Sequence, residues 1–72
     1  MRRRDPLFEL TPREKEIFFL ITKQGLLYVD IATMLGISYK TVKHHACQIL
    51  VKLEITSRFE LAVWAWRNGI VR

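Results

Sequence analysis

Cysteine is almost missing from this chain: Cys47 stands alone, so no internal disulfide can form and metal sites built from cysteine pairs are excluded. A reducing cytoplasm fits that usage. Long apolar runs are missing too, since charged or polar residues interrupt every stretch well before the roughly 18 to 20 residues needed to cross a bilayer. The chain reads as soluble, with no membrane partner. MRRRDPLF begins like a secretory leader, but Asp5, Pro6 and Glu9 leave no room for the apolar segment such a leader needs. Glycine is scarce and never grouped into a phosphate-cradling loop, and no nucleophile, base and orienting group fall in a catalytic arrangement, so an enzyme has the least support. With His44 and His45 the only histidines and no convergent carboxylates beside them, neither a metal nor a cofactor is expected. Acidic residues are also in deficit. Twelve Lys and Arg against seven Asp and Glu leave a net charge of +5 and a pI near 9.9, which favours a polyanionic partner, nucleic acid ahead of membrane.

What is present fits one domain of 72 residues, close to the size at which a single core is only marginally sufficient. Residues 1–9 lack periodicity and carry Arg2, Arg3 and Arg4 in succession, which reads as a flexible basic arm or linker; residues 10–72 form the domain. Thr11-Pro12-Arg13-Glu14 is a strong helix start. Thr11 can accept from the Glu14 amide, Pro12 needs no donor at the first helical position, and Glu14 can reach back. The first helix then runs to about Lys23, with Ile17, Phe18, Leu20 and Ile21 on a buried face. Phe19 fits either a partly covered core edge or a second contact surface. Gly25 ends that helix in the left-handed conformation, and a short second helix runs from about Tyr28 to Leu35, burying Val29 or Ile31 with Ala32 and Leu35. Ser38 caps a third helix to about Leu53. Ser57-Arg58-Phe59-Glu60 repeats the capping-box pattern and opens a fourth, closed by Asn68 and Gly69. No strand signature appears, so the expected fold is all-α.

Ala32, Gly36 and Val42 stand where a helix-turn-helix needs a small residue for close crossing, a cheap sharp turn and a branched apolar pin. The faces of the third helix add weight. At about 100° per residue, Val42, Ala46, Ile49 and Leu53 form a narrow inward stripe, while Lys40, Lys43, His44, Cys47, Gln48 and Val51 fall opposite. A helix that presents lysines and a histidine in its N-terminal half matches the way recognition helices meet base edges in the major groove.

LTPREKEIF, IATMLGISYKTVKHH, KLEITSRFELAVWA and NGIV together resemble the DNA-binding domain of the LuxR/GerE-type bacterial transcription regulators, response-regulator and free-standing branches included. The likeness spans Leu10 to Val71. It implies a four-helix helix-turn-helix domain, double-stranded DNA as partner, and a homodimer packed through the last helices of two subunits; for this chain a dimer that forms only on DNA is an open alternative. It also implies that Lys43, His44 and Cys47 read bases and that Thr41 lies near a phosphate. Lys43 can donate to guanine O6 or N7. Cys47, where similar proteins carry lysine, serine or asparagine, either shifts a contact towards a thymine methyl or is a tolerated small side chain. His45 matches the family histidine; at the border of the buried stripe and the exposed face, it fits a packing or phosphate-facing role ahead of a base contact. Lys40 is early enough to touch a phosphate or a base, and Lys52 and Arg58 flank either the duplex backbone or solvent. Tyr28-Val29-Asp30 departs from the family's polar-lysine-acid sequence, and Gln24 reads as an insertion. The likeness is compatible with a free-standing regulator and with one preceded by a sensing or phosphoryl-receiving domain.

Apolar residues cover more than half of the fourth helix. Leu61, Ala62, Ala65 and Trp66 are expected in the core with Trp64 on the far side, and Val63, Trp64 and Arg67 are expected to form a self-complementary dimer patch. A second function class uses the same aromatic surface to bind another regulator or RNA polymerase.

Overall fold

Thr11 and Glu14 begin the first helix as a reciprocal pair: the Glu14 amide donates to Thr11 Oγ1 at 3.2 Å and the Thr11 amide donates to Glu14 Oε1 at 2.9 Å. Together they satisfy two backbone donors that a helix start otherwise leaves unpaired. In the computed structural model, which describes residues 6–71, four helices follow: α1 Pro12–Thr22, α2 Tyr28–Leu35, α3 Tyr39–Lys52 and α4 Arg58–Arg67. No strand occurs among the described residues, as the all-α expectation requires. Arg2, Arg3 and Arg4, the charged part of the expected arm, lie outside the described residues. Leu7, assigned to that arm, is only 6% exposed and joins the core, in a turn closed by the Leu10 amide on the Leu7 carbonyl at 3.1 Å.

The remaining helix starts differ in whether a side chain caps them. Ser38 Oγ accepts from the Thr41 amide at 3.0 Å and opens α3, whereas α2 starts at Leu27 with no side-chain cap. Between them Gly36 takes φ 69°, a left-handed conformation that costs a side-chain-bearing residue about 1 kcal/mol or more. That single residue makes the turn of the helix pair. At α4 the expected capping box forms only by half: Ser57 Oγ accepts from the Glu60 amide at 3.2 Å, but Glu60 Oε1 accepts from the Thr56 hydroxyl at 2.6 Å. The hydroxyl one residue upstream, rather than the Ser57 amide, holds the carboxylate.

The core gathers Ile17, Phe18, Ile31, Val42, Ile49, Leu61 and Ala65, all essentially inaccessible. α3 packs against both α1 and α2, and α4 packs against α1. Ala46 and Ala65, both buried, keep their helices small where neighbours approach. The expected inward stripe of α3 is confirmed at Val42, Ala46 and Ile49, with Leu53 half-buried at its end. On α2 the choice falls to Ile31, and Val29 is exposed. Phe19 is a core edge: half-buried, its ring stands edge-on to Phe18 at 5.3 Å.

The sequence assignment of the two tryptophans is reversed in the structure. Trp64 packs edge-on against Phe18 at 5.9 Å, while Trp66 is 67% exposed and Ala62 faces solvent. Leu61, Trp64 and Ala65 fall at i, i+3 and i+4, the spacing of one helix face, and Trp66 lies about 140° from Leu61. The Phe18 ring selects that face because an edge-to-face aromatic pair is favourable at this separation.

Candidate nucleic-acid interface

The outward face of α3 is defined by what holds the inward one. With Val42, Ala46 and Ile49 buried, the helix cannot rotate, and Lys40, Lys43, His44, Cys47 and Val51 are all left exposed on the other side. Gln48 is half-buried at the margin. Among the described residues no carboxylate lies within ion-pair range of Lys40 or Lys43, and α3 itself contains no Asp or Glu. That differs from the other long helices. Both α1 and α4 carry a glutamate in the first turn, where it complements the positive end of the helix dipole. α3 places Lys40 there instead, which is locally unfavourable and is offset when a polyanion approaches.

Thr41 is exposed, and its hydroxyl lies 2.8 Å from Ser38 Oγ in the cap of α3. His45 sits half-buried at the border of the two faces, its ring 6.0 Å from that of His44. Lys40, Lys43, His44 and Cys47 therefore share one open surface with Thr41 at its leading end.

Lys52 and Arg58 each have a partner within the domain. Lys52 Nζ donates to Glu14 Oε1 at 2.7 Å, tying the end of α3 to the start of α1. Glu14 is buried, which by itself raises a carboxyl pKa, but the hydrogen bonds from Lys52 and the Thr11 amide, with the Lys52 charge, outweigh burial and hold it below its ordinary value. Arg58 donates to the Leu26 carbonyl through Nη2, and its guanidinium lies 5.2 Å from the Tyr28 ring centre. Burial pushes the Tyr28 phenol up, the Arg58 cation pulling it partly back. Both cations thus act on the fold. Sequence spacing gave no signal for either contact, because the partners are 38 and 32 residues away.

On α4, Val63 and Trp64 are half-buried and Arg67 is exposed; all three border an open groove with Leu53, Ile55 and Phe59. Phe59, at 78%, and Trp66, at 67%, are its most exposed aromatics. They occupy the face away from Leu61; Phe59 lies outside the expected core set, whereas Trp66 was expected inside it.

A short helix joined by a left-handed glycine turn to a second whose outer face is cationic and unpaired is a helix-turn-helix domain. Comparison with known proteins gives the particular family. The description "Bacterial regulatory proteins, luxR family" matches residues 9–65. The chain belongs to that family, whose domain serves DNA-binding transcription regulation and is not an enzyme class. Response regulator protein VraR of Staphylococcus aureus is 40% identical over 73 aligned residues, which cover 100% of this chain and 34% of that protein. The protein of the same name from Staphylococcus epidermidis gives the same figures. The chain thus spans about a third of the length of these curated relatives. No helix among the described residues is long and apolar enough to cross a membrane.

Proposed function

We propose that this domain regulates transcription by laying α3 in the major groove of double-stranded DNA, with Lys43 and His44 meeting base edges. Lys40 and Thr41 approach the phosphate backbone at the leading end, and Cys47 packs against the base edges one turn further along. One observation carries this reading: the unpaired, acid-free, exposed cationic face of α3 lies opposite a stripe that the core holds fixed. A rigidly mounted helix brings base contacts into register, whereas phosphate contacts alone set position without reading sequence. In this reading Lys52 and Arg58 support the fold, and any phosphate contact they make is secondary. A regulator of this kind works in the bacterial cytoplasm, and the response-regulator naming of its relatives supports control by a signal.

The same proposal includes a homodimer on a two-fold-related site, paired through α4. The exposure of Phe59 and Trp66 beside Val63, Trp64 and Arg67 supports it, since an isologous contact needs one self-complementary apolar patch. A second reading, that this patch docks RNA polymerase or another regulator, rests on the same exposure.

Selection of bound sequences from random duplex DNA at fixed salt tests the proposal, and a two-fold-symmetric consensus is the expected result. On that site Lys43→Ala is expected to weaken binding by about 1 to 3 kcal/mol, roughly 5- to 150-fold, with a much smaller loss on unrelated DNA. Equal losses on both remove Lys43 from base reading. A folded domain with no salt-dependent DNA binding, but with saturable binding to polymerase, favours the second reading.

A further inference from the structure

The outward face of α3 is not chemically uniform. Its N-terminal half carries Lys40, Lys43 and His44, and its C-terminal half carries Cys47 and Val51. Val51 is 72% exposed, one of the most exposed large apolar residues of the domain, and it packs on no part of the core. It does not sit at the edge of the face. At about 100° per residue it lies about 20° from His44 and about 40° from Cys47, in the middle of the surface that holds the lysines. Valine is also a weaker helix former than the lysine, glutamine or glutamate that a merely solvated position accepts. Neither helix propensity, core packing nor solubility accounts for it.

We infer that Val51, with Cys47 one turn before it, forms an apolar step in the DNA-reading face that receives the 5-methyl group of a thymine. This rests on the placement of α3 in the major groove proposed above. In that groove thymine is the base that presents an apolar group, its C5-methyl, while the other edges offer donors and acceptors that valine cannot satisfy. The short Cys47 side chain lets the helix lie close to the base edges, and continuity with Lys40, Lys43 and His44 keeps Val51 on the duplex side. Val51 follows Lys43 by eight residues, about 12 Å along the helix axis. With about 3.4 Å per base pair along the duplex axis, and α3 inclined to that axis as it follows the groove, the thymine lies about two to three base pairs from the guanine met by Lys43. The domain then reads a hydrogen-bonded end and a methyl-bearing end of one half-site.

Replacing each thymidine of the selected site, one at a time, by deoxyuridine deletes only the methyl group. Anisotropy titrations with the full chain at fixed salt are expected to show one thymine per half-site, about two to four base pairs from the Lys43-dependent guanine, whose replacement weakens binding about threefold to fivefold. In Val51→Ala, a change that raises helix propensity at an exposed site and shortens the apolar contact, the same replacement is expected to cost clearly less than in wild type. The inference is overturned if wild type is indifferent to every deoxyuridine while Lys43→Ala still loses specific binding, or if Val51→Ala keeps the full methyl sensitivity. Absence of any sequence-specific binding is a separate result that overturns the DNA reading itself.

Discussion

Replacing Glu14 by glutamine decides whether Lys52 is a support of the fold or a free cation on the duplex. The glutamine keeps an oxygen for the Thr11 amide, so the cap of α1 survives and only the carboxylate charge under Lys52 is removed. The Glu14 side chain is 6% and the Lys52 side chain 28% exposed, with 2.7 Å between Nζ and Oε1. A charge-assisted hydrogen bond contributes about 1.5 to 3 kcal/mol; solvent screening at the more open lysine reduces the expected loss to about 1 kcal/mol. For a domain of this size that lowers the melting temperature by roughly 4 to 8 °C, measured by circular dichroism at pH 7. Specific DNA affinity below the transition is expected to stay within about twofold, because the reading face is untouched. The pH dependence follows from the depressed carboxyl. A group whose folded pKa lies below its unfolded value stabilises fully above the unfolded value, and that contribution is lost as pH falls through the folded one. The gap between wild type and Glu14→Gln should therefore close below about pH 4. An unchanged melting temperature at pH 7, together with a Lys52→Ala variant that loses about one phosphate from the salt slope, refutes the assignment of Lys52 to the fold.

The remaining expectations concern α4 and the loop before α2. Trp66→Glu and Phe59→Glu should each weaken self-association by about 2 kcal/mol or more, roughly 30-fold, in sedimentation on and off DNA. Monomer stability should stay within about 0.5 kcal/mol, since both side chains are exposed; unaltered association removes this face from the dimer. Arg58→Met should lower urea stability by about 1 to 2 kcal/mol by leaving the Leu26 carbonyl without its donor. Its salt slope on DNA should be unchanged, and a slope reduced by about one makes Arg58 a phosphate ligand instead.

Local rules carried most of the fold. Thr11, Gly36 and Ser38 mark boundaries because each helix end is set by a few adjacent residues. Ile17, Phe18, Val42, Ala46 and Ile49 show their burial through a 3.6-residue period. The outward set Lys40, Lys43, His44 and Cys47 was legible for the same reason: once one face of a rigid helix is assigned to the core, the opposite face follows. Tertiary structure alone decided the fate of Lys52 and Arg58, because their partners, Glu14 and the Leu26 carbonyl, are distant in the chain and nothing in the spacing connects them. It also decided which tryptophan of α4 is inside. The helix is apolar over most of its circumference, so amphipathicity could not orient it, and the Phe18 ring, supplied by α1, turned Trp64 inward and left Trp66 in solvent.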